Sequence, residues 1–354
     1  MVADVRPFRA VRYARPGAEL TAPPYDVVDE TTLAELRARD PHNVVHLTLE
    51  QDERRAGERY REWLAEGVLV RDDEPAVWSL EQDYVGPDGV ERQRRGLVAS
   101  LRVEPYATGA VLPHERTHAG PKASRLRLLE AARAQLEPIF LLYDGSPVEP
   151  PRREPELEVA GTRLWALDDL DVASAFAGGQ LLIADGHHRY ETALEFAAQD
   201  GADRMMVVLV STSDPGLEIF ATHRVFEGRE DIDLAGEPFA TVEDAFTALA
   251  DESYARSAAV LVRPDSTRLV HGAPGELDVE LVDRLGHDGI SYTPDRVEAV
   301  RDVESGAANC ALLLRPTRIE DVFERARHGE VMPQKTTYFF PKLLSGLLFH
   351  PVDP

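Results

Sequence analysis

Asp185, His187, His188 and Arg189 fall within five residues of the run Leu181-Leu182-Ile183-Ala184-Asp185-Gly186-His187-His188-Arg189-Tyr190. An acid, two imidazoles and a guanidinium at that spacing are materials for holding an anion. Leu181, Leu182 and Ile183 form an apolar run suited to a buried strand, whereas Tyr190, Ala193, Leu194 and Ala197 recur with helical spacing. The period changes between Asp185 and Arg189, so those residues must be the turn. Such a turn directs the unpaired N–H groups of the helix's first turn outward, at the positive end of the macrodipole. His187, His188 and Arg189 add side-chain donors, and phosphate is the natural ligand. The competing reading makes Asp185 a helix cap and lets the imidazoles bond locally. A compact cluster at a strand end favours the site.

A second constellation runs from Glu330 to Lys342. Pro333 and Pro341 deny it a regular helix or central strand, which predicts an ordered loop or sheet edge. Lys335, Thr336 and Thr337 would offer an ammonium and two hydroxyls to phosphate, with Tyr338, Phe339 and Phe340 packed beneath as an anchor. The alternative is an aromatic plug with solvated lysines. Thr222-His223-Arg224 could add a further cation, and Pro23-Pro24-Tyr25-Asp26 reads as a stiff turn in which Asp26 is a turn residue. His114-Glu115-Arg116-Thr117-His118 fits the H-E-x-x-H zinc pattern. Gly120-Pro121 leaves little room for the helix that pattern needs, and no third ligand is evident. Glu115 could instead face an anion site as a base, beside Lys122 and Arg125 at the start of a helix carrying Leu126, Leu129, Ala132 and Leu136.

These groups need a scaffold, and composition limits what it can be. The chain has 354 residues, 39 Lys and Arg against 63 Asp and Glu, and a formal charge of −24. That balance opposes adhesion to nucleic acid or anionic lipid, so any phosphate site is expected to be a local basic pocket. No 20-residue apolar span or leader is evident, which predicts a soluble cytoplasmic protein whose partner is a small phosphate-bearing molecule. Cys310 stands alone in an apolar run and reads as filler. The expected fold is α/β or α+β, with mixed sheets and helices. Ala56, Tyr60, Trp63 and Leu64 predict a helix stopped by Gly67, and Tyr84 to Val90 predicts a hairpin turn between strands near Ala76–Tyr84 and Val90–Val103. Met205 to Val210 reads as a strand, and Thr317-Arg318-Ile319-Glu320 as a capping box opening a helix stopped by Gly329. Four prolines between Gly145 and Glu156 divide the chain into regions 1–150 and 151–354, which could share one cleft.

The same residues carry a resemblance. Pro23-Pro24-Tyr25-Asp26, His114-Glu115 with Gly120-Pro121-Lys122, the Asp185–Arg189 run, Thr222-His223-Arg224, Leu314-Arg315-Pro316-Thr317 and the Met332–Lys342 segment together resemble the prokaryotic family called domain of unknown function 1015. The Asp185–Arg189 turn and its helix are also similar to the phosphate loop of the partition-protein and sulfiredoxin-like superfamily, which includes kinases acting on free serine. That likeness implies phosphate held by His187, His188 and Arg189, with Asp185 close enough to organise a metal or a hydroxyl.

The combined expectation is phosphoryl transfer to or from a small hydroxylated metabolite, with free L-serine the first acceptor. Glu115 or Asp185 would act as base, Asp185 or Glu115 would ligate Mg²⁺, and Lys335 would balance charge on the transferred group. Phosphate contacts would come from His187, His188 and Arg189, with Lys122, His223, Arg224, Thr336 and Thr337 in support. The donor is left open among ATP, ADP and pyrophosphate, since no G-x-x-x-x-G-K-[ST] loop is present. A nucleotide-sensing partition-like module and a zinc-dependent hydrolase are the other two classes.

Overall fold

A computed structural model describes residues 3–115, 119–167, 176 and 179–352. Its largest sheet has nine strands: β1 (Val5–Arg6), β2 (Val77–Val85), β3 (Glu91–Arg102), β4 (Val111–Leu112), β5 (Ile139–Tyr143), β6 (Leu157–Val159), β7 (Thr162–Leu167), β8 (Leu181–Asp185) and β9 (Arg204–Ser211). They lie in the order β4-β8-β5-β9-β3-β2-β7-β6, with β1 paired to β3. β8 runs parallel to β4, and β9 runs parallel to β5, while the other pairs are antiparallel. Strands from both sides of residue 150 share this one sheet, so the proline-rich stretch is an excursion within it. The fold is a mixed arrangement of helices and sheets.

Both faces of the sheet are covered, which explains the near-continuous apolar runs of its central strands. On one face Leu181, Ile183, Val207 and Leu209 pack with Tyr190 and Ala193. Those last two belong to the helix α3 (His187–Asp200), preceded in the chain by α1 (Glu53–Ala65) and α2 (Ala119–Ala132). On the other face Leu182, Phe140 and Val208 pack with Phe339, Leu343 and Leu347 from the C-terminal segment. Each large side chain so buried contributes about 1.5–3 kcal/mol. The C-terminal segment is therefore fixed over the sheet by its own apolar residues.

The second sheet is antiparallel and has six strands: β10 (His223–Phe226), β11 (Glu237–Phe239), β12 (Arg256–Arg263), β13 (Ser266–Pro274), β14 (Ile290–Thr293) and β15 (Cys310–Leu313), in the order β11-β13-β12-β15-β10-β14. Cys310 is wholly buried in it, and burial pushes its thiol up to about 11. The expected hairpin, the helix before Gly67 and the strand at Met205 are all present. The expected capping box is not. The next helix spans Ile319–Arg327 with Arg318 at its N-cap and no side-chain cap, because the Thr317 hydroxyl donates to the Thr336 carbonyl at 2.9 Å. α2 ends at Ala132, short of Leu136. Among the described residues no helix is long and apolar enough to cross a membrane.

Candidate functional site

The parallel pairing of β4 with β8 sets the position of everything that follows. Two parallel neighbours end at the same sheet edge, so His114 and Glu115, just past β4, come level with the turn just past β8. At that turn Gly186 has φ 98°, a left-handed conformation that disfavours any residue with a Cβ. A Cβ there would also lie 2.5 Å from Ile139 Cγ2, so the glycine is required twice over. Helix α3 starts immediately, its first intrahelical bond running from the Tyr190 N–H to the Gly186 carbonyl. The N–H groups of His187, His188 and Arg189 precede that bond and form the helix's open first turn.

The C-terminal segment closes over this edge. The Met332 N–H donates to the His114 carbonyl at 2.9 Å, and Glu115 pairs with Met332 as a parallel bridge. Further along, Tyr338–Phe340 forms an antiparallel pair with Glu218–Phe220, as the expected edge. Phe339 is buried with its ring 5.8 Å from that of Phe140 and 6.2 Å from that of His114, so the aromatic anchor and the lysine-bearing loop are both real. A short turn at Tyr25–Val27 forms another wall. It is tied down by the Tyr25 N–H donating to Glu137 at 3.2 Å and by the Arg125 guanidinium 4.2 Å from the Tyr25 ring centre.

Together these elements enclose a cavity of about 270 Å³ lined by Glu115, Asp185, Gly186, His187, His188, Arg189, Lys335, Thr337, Tyr338 and Lys342, with Tyr25 and Asp26 opposite. Glu115, Asp185, Lys335, His187, His188, Arg189 and Thr337 thus meet, although they lie up to 222 positions apart in the chain. Lys122, His223, Arg224 and Thr336 do not line it. Lys122 pairs with Glu195 at 3.1 Å on the helical face. His223 is buried in β10, where its Nδ1 accepts the Leu314 N–H at 3.1 Å. Arg224 donates to the carbonyls of Gln334 and Lys335 at 3.2 and 3.1 Å, so it clamps the loop from behind. The Thr336 hydroxyl is spent on the Pro333 carbonyl at 2.6 Å.

The cavity is charge-balanced where a basic pocket was expected. Asp26, Glu115 and Asp185 face Arg189, Lys335 and Lys342. Asp185 does not cap α3; it forms ion pairs with Arg189, at 2.9 Å, and with Lys342. Burial would raise its pKa, but those two cations override burial and hold it at about 2. Burial likewise opposes the Lys342 charge, and Asp185 outweighs that to keep the ammonium above the ordinary lysine value. Arg189 also donates to the Pro138 carbonyl at 2.5 Å, so two of its nitrogens are committed to the protein. Glu115 differs. Burial raises its pKa against the opposing pull of Lys335.

His114 and Glu115 are not on a helix, because Glu115 is in an extended bridge and the described helix begins at Ala119. Both His114 ring nitrogens are engaged, Nδ1 with the Ile183 carbonyl at 2.6 Å and Nε2 with Thr337 Oγ1 at 3.0 Å. That removes the basis of the zinc pattern, whose His118 lies outside the described residues. Among the described residues no three His, Cys, Asp or Glu side chains are grouped to hold a metal. Reading by motif overlooked Lys342, which only its contact with Asp185 brings to the site, and placed Asp26 in a turn without its cavity.

The family described as Protein of unknown function (DUF1015) matches residues 5–287. The chain belongs to it. Over 183 residues the chain is 22% identical to an ATP-dependent L-serine kinase of Staphylothermus marinus, a match spanning 49% of this chain and 71% of that protein. Among solved structures it is similar to a conserved hypothetical protein from Pyrococcus furiosus, with 16% identity, a TM-score of 0.39, and 69% of this chain and 93% of that one covered. It is also similar to a free serine kinase in complex with AMP, with 18% identity, a TM-score of 0.40, and 65% and 83% covered.

Proposed function

We propose that this protein transfers a phosphoryl group to or from a small hydroxylated metabolite, with free L-serine the first acceptor to test and ATP, ADP or pyrophosphate the donor. The observation that carries this reading is the convergence of Glu115, Lys335 and Lys342 on the open first turn of α3 within one cavity. Phosphoryl transfer asks a protein chiefly for positioning and charge neutralisation, with one group to orient the attacking hydroxyl. The first-turn N–H groups with His187 and His188 hold phosphate, and Lys335 and Lys342 offset its charge. Glu115 is the base. Asp185 is a weak candidate for that role, because Lys342 and Arg189 already occupy its carboxylate and it serves to position them. For Mg²⁺, Asp26 is the cavity carboxylate that has neither an ion pair among the described residues nor the role of base, and it would hold this hard cation together with phosphate oxygens. Bound there, the ion would draw charge from the transferred group.

The test is O-phosphoserine formation from L-serine and each donor in the presence of Mg²⁺. Lys335→Ala should lower kcat by about 10²–10³-fold while leaving the melting temperature nearly unchanged, since its ammonium is exposed. Because Glu115 titrates above an ordinary carboxylate, the rate should rise with pH along an acid limb displaced upward, and Glu115→Gln should abolish that limb. Phosphorylation of another small alcohol would remove serine and keep the reaction class. No transfer to any alcohol, together with tight nucleotide binding, would replace this reading with a nucleotide-binding module.

A further inference from the structure

Behind the cavity wall two buried imidazoles touch edge to face, His114 and His187, with ring centres 4.7 Å apart. His114 has no exposed surface, and its Nδ1 lies 2.6 Å from the Ile183 carbonyl. A carbonyl only accepts, so the His114 proton sits on Nδ1. Its Nε2 is then a bare lone pair, and the bond at 3.0 Å to Thr337 Oγ1 must be donated by the threonine hydroxyl. Burial holds His114 down at about 4, which keeps the ring neutral near pH 7. His187 carries the same tautomer. Its Nε2 accepts the His114 backbone N–H at 3.3 Å, so its own proton sits on Nδ1.

We propose that His187 and Thr337 show the cavity opposite hydrogen-bonding polarity, so that phosphate lies against the His187 N–H and the acceptor's hydroxyl or ammonium donates to Thr337. The Thr337 hydrogen is consumed behind the wall. Only oxygen lone pairs face inward, and an anion there would meet no donor. This inference rests on the phosphate-site reading above and adds to it the orientation of the second ligand: the acceptor is a hydrogen-bond donor held at the Thr337 side, and that threonine is no phosphate contact.

Calorimetry on the full chain in EDTA separates the outcomes. Pyrophosphate is titrated first, then L-serine, L-threonine, ethanolamine and glycerol onto the pyrophosphate-saturated protein. Thr337→Val should weaken the acceptor that binds by about tenfold, leave pyrophosphate unchanged, and be rescued by Thr337→Ser. Equal weakening of pyrophosphate would overturn the inference with the phosphate reading intact, as would failure of every acceptor to bind. Failure of pyrophosphate to bind the unsubstituted protein would remove both. Nitrogen-15 NMR of the His114 ring needs no ligand and guards against a variant that fails to fold. A bare Nε2 at pH 7 is expected, and a protonated one overturns the inference.

Discussion

Two His–Arg pairs in this molecule look alike in sequence and differ in what they do. His187 and Arg189 open α3 at the cavity, whereas His223 and Arg224 lie within β10 of the second sheet. Burial pulls both histidines far below their ordinary value, His223 to about 4. The arginines part company through their partners. Arg189 meets the carboxylate of Asp185, and although burial opposes its charge, the nearby acids Glu137 and Asp185 raise its pKa. Arg224 donates to the carbonyls of Thr222, Gln334 and Lys335 and lies 5.4 Å from the Tyr292 ring centre, with no ion pair among the described residues, and burial lowers it to about 10. A guanidinium beside a carboxylate can stand at a ligand site with its charge supported. One surrounded by carbonyls holds backbone in place, here the backbone that aims Lys335.

The largest effect should come from breaking the first pair. Asp185→Asn takes their directly paired carboxylate from the half-buried Lys342 and Arg189, and removing one partner of an ion pair costs up to about 3–5 kcal/mol where the pair is buried. Urea unfolding at pH 7 measures it. A loss below about 1 kcal/mol would mean that the two cations are held by something other than Asp185.

The second pair should give a smaller and more local response. Arg224→Met removes charged donors from the Gln334 and Lys335 carbonyls, worth about 1.5–3 kcal/mol. Hydrogen exchange should quicken at residues 334–337, where Lys335 sits at φ 56° and needs the clamp, and stay unchanged at 186–189. Equal quickening in both stretches would show one cooperative unit in place of two.

The difference between the pairs marks how far sequence alone could reach. The strand, turn and helix around Asp185 were legible because local periodicity changes there, and the loop from Met332 to Lys342 was legible through its prolines and aromatic cluster. The pairing of β4 with β8 is non-local, and with it the arrival of Glu115 at the turn. His223 and Arg224 were misplaced for the same reason: their neighbours come from Leu314 and Gln334, far along the chain. Lys342 looked like a solvated lysine beside a proline until its partner Asp185, 157 positions earlier, was in view. Residue type showed which groups could bind an anion, and contacts between distant elements decided which of them face one.

The smallest predicted effect separates the two regions by pH. His223 has a folded pKa of about 4 against an ordinary 6.5, so the unfolded chain binds a proton in that window and the folded chain does not. Its burial therefore costs nothing above pH 6.5 and weakens the fold progressively as pH falls toward 4. Between pH 7 and 5 that loss approaches about 2 kcal/mol. Asp185 has the reverse sign and another window, since its folded pKa of about 2 lies below the ordinary 3.8. The stability it contributes is full above pH 4 and lost only between about 4 and 2. His223→Asn keeps an acceptor for the Leu314 N–H and removes the titration. Denaturant unfolding at pH 7 and pH 5 should then show a loss smaller by about 1–2 kcal/mol than in the unsubstituted chain, whereas Asp185→Asn should leave the difference between those two pH values unchanged. An unchanged difference for His223→Asn would mean that the imidazole already carries its proton inside β10, and His223 would then be a charged neighbour of Arg224 in place of a neutral support for the second sheet.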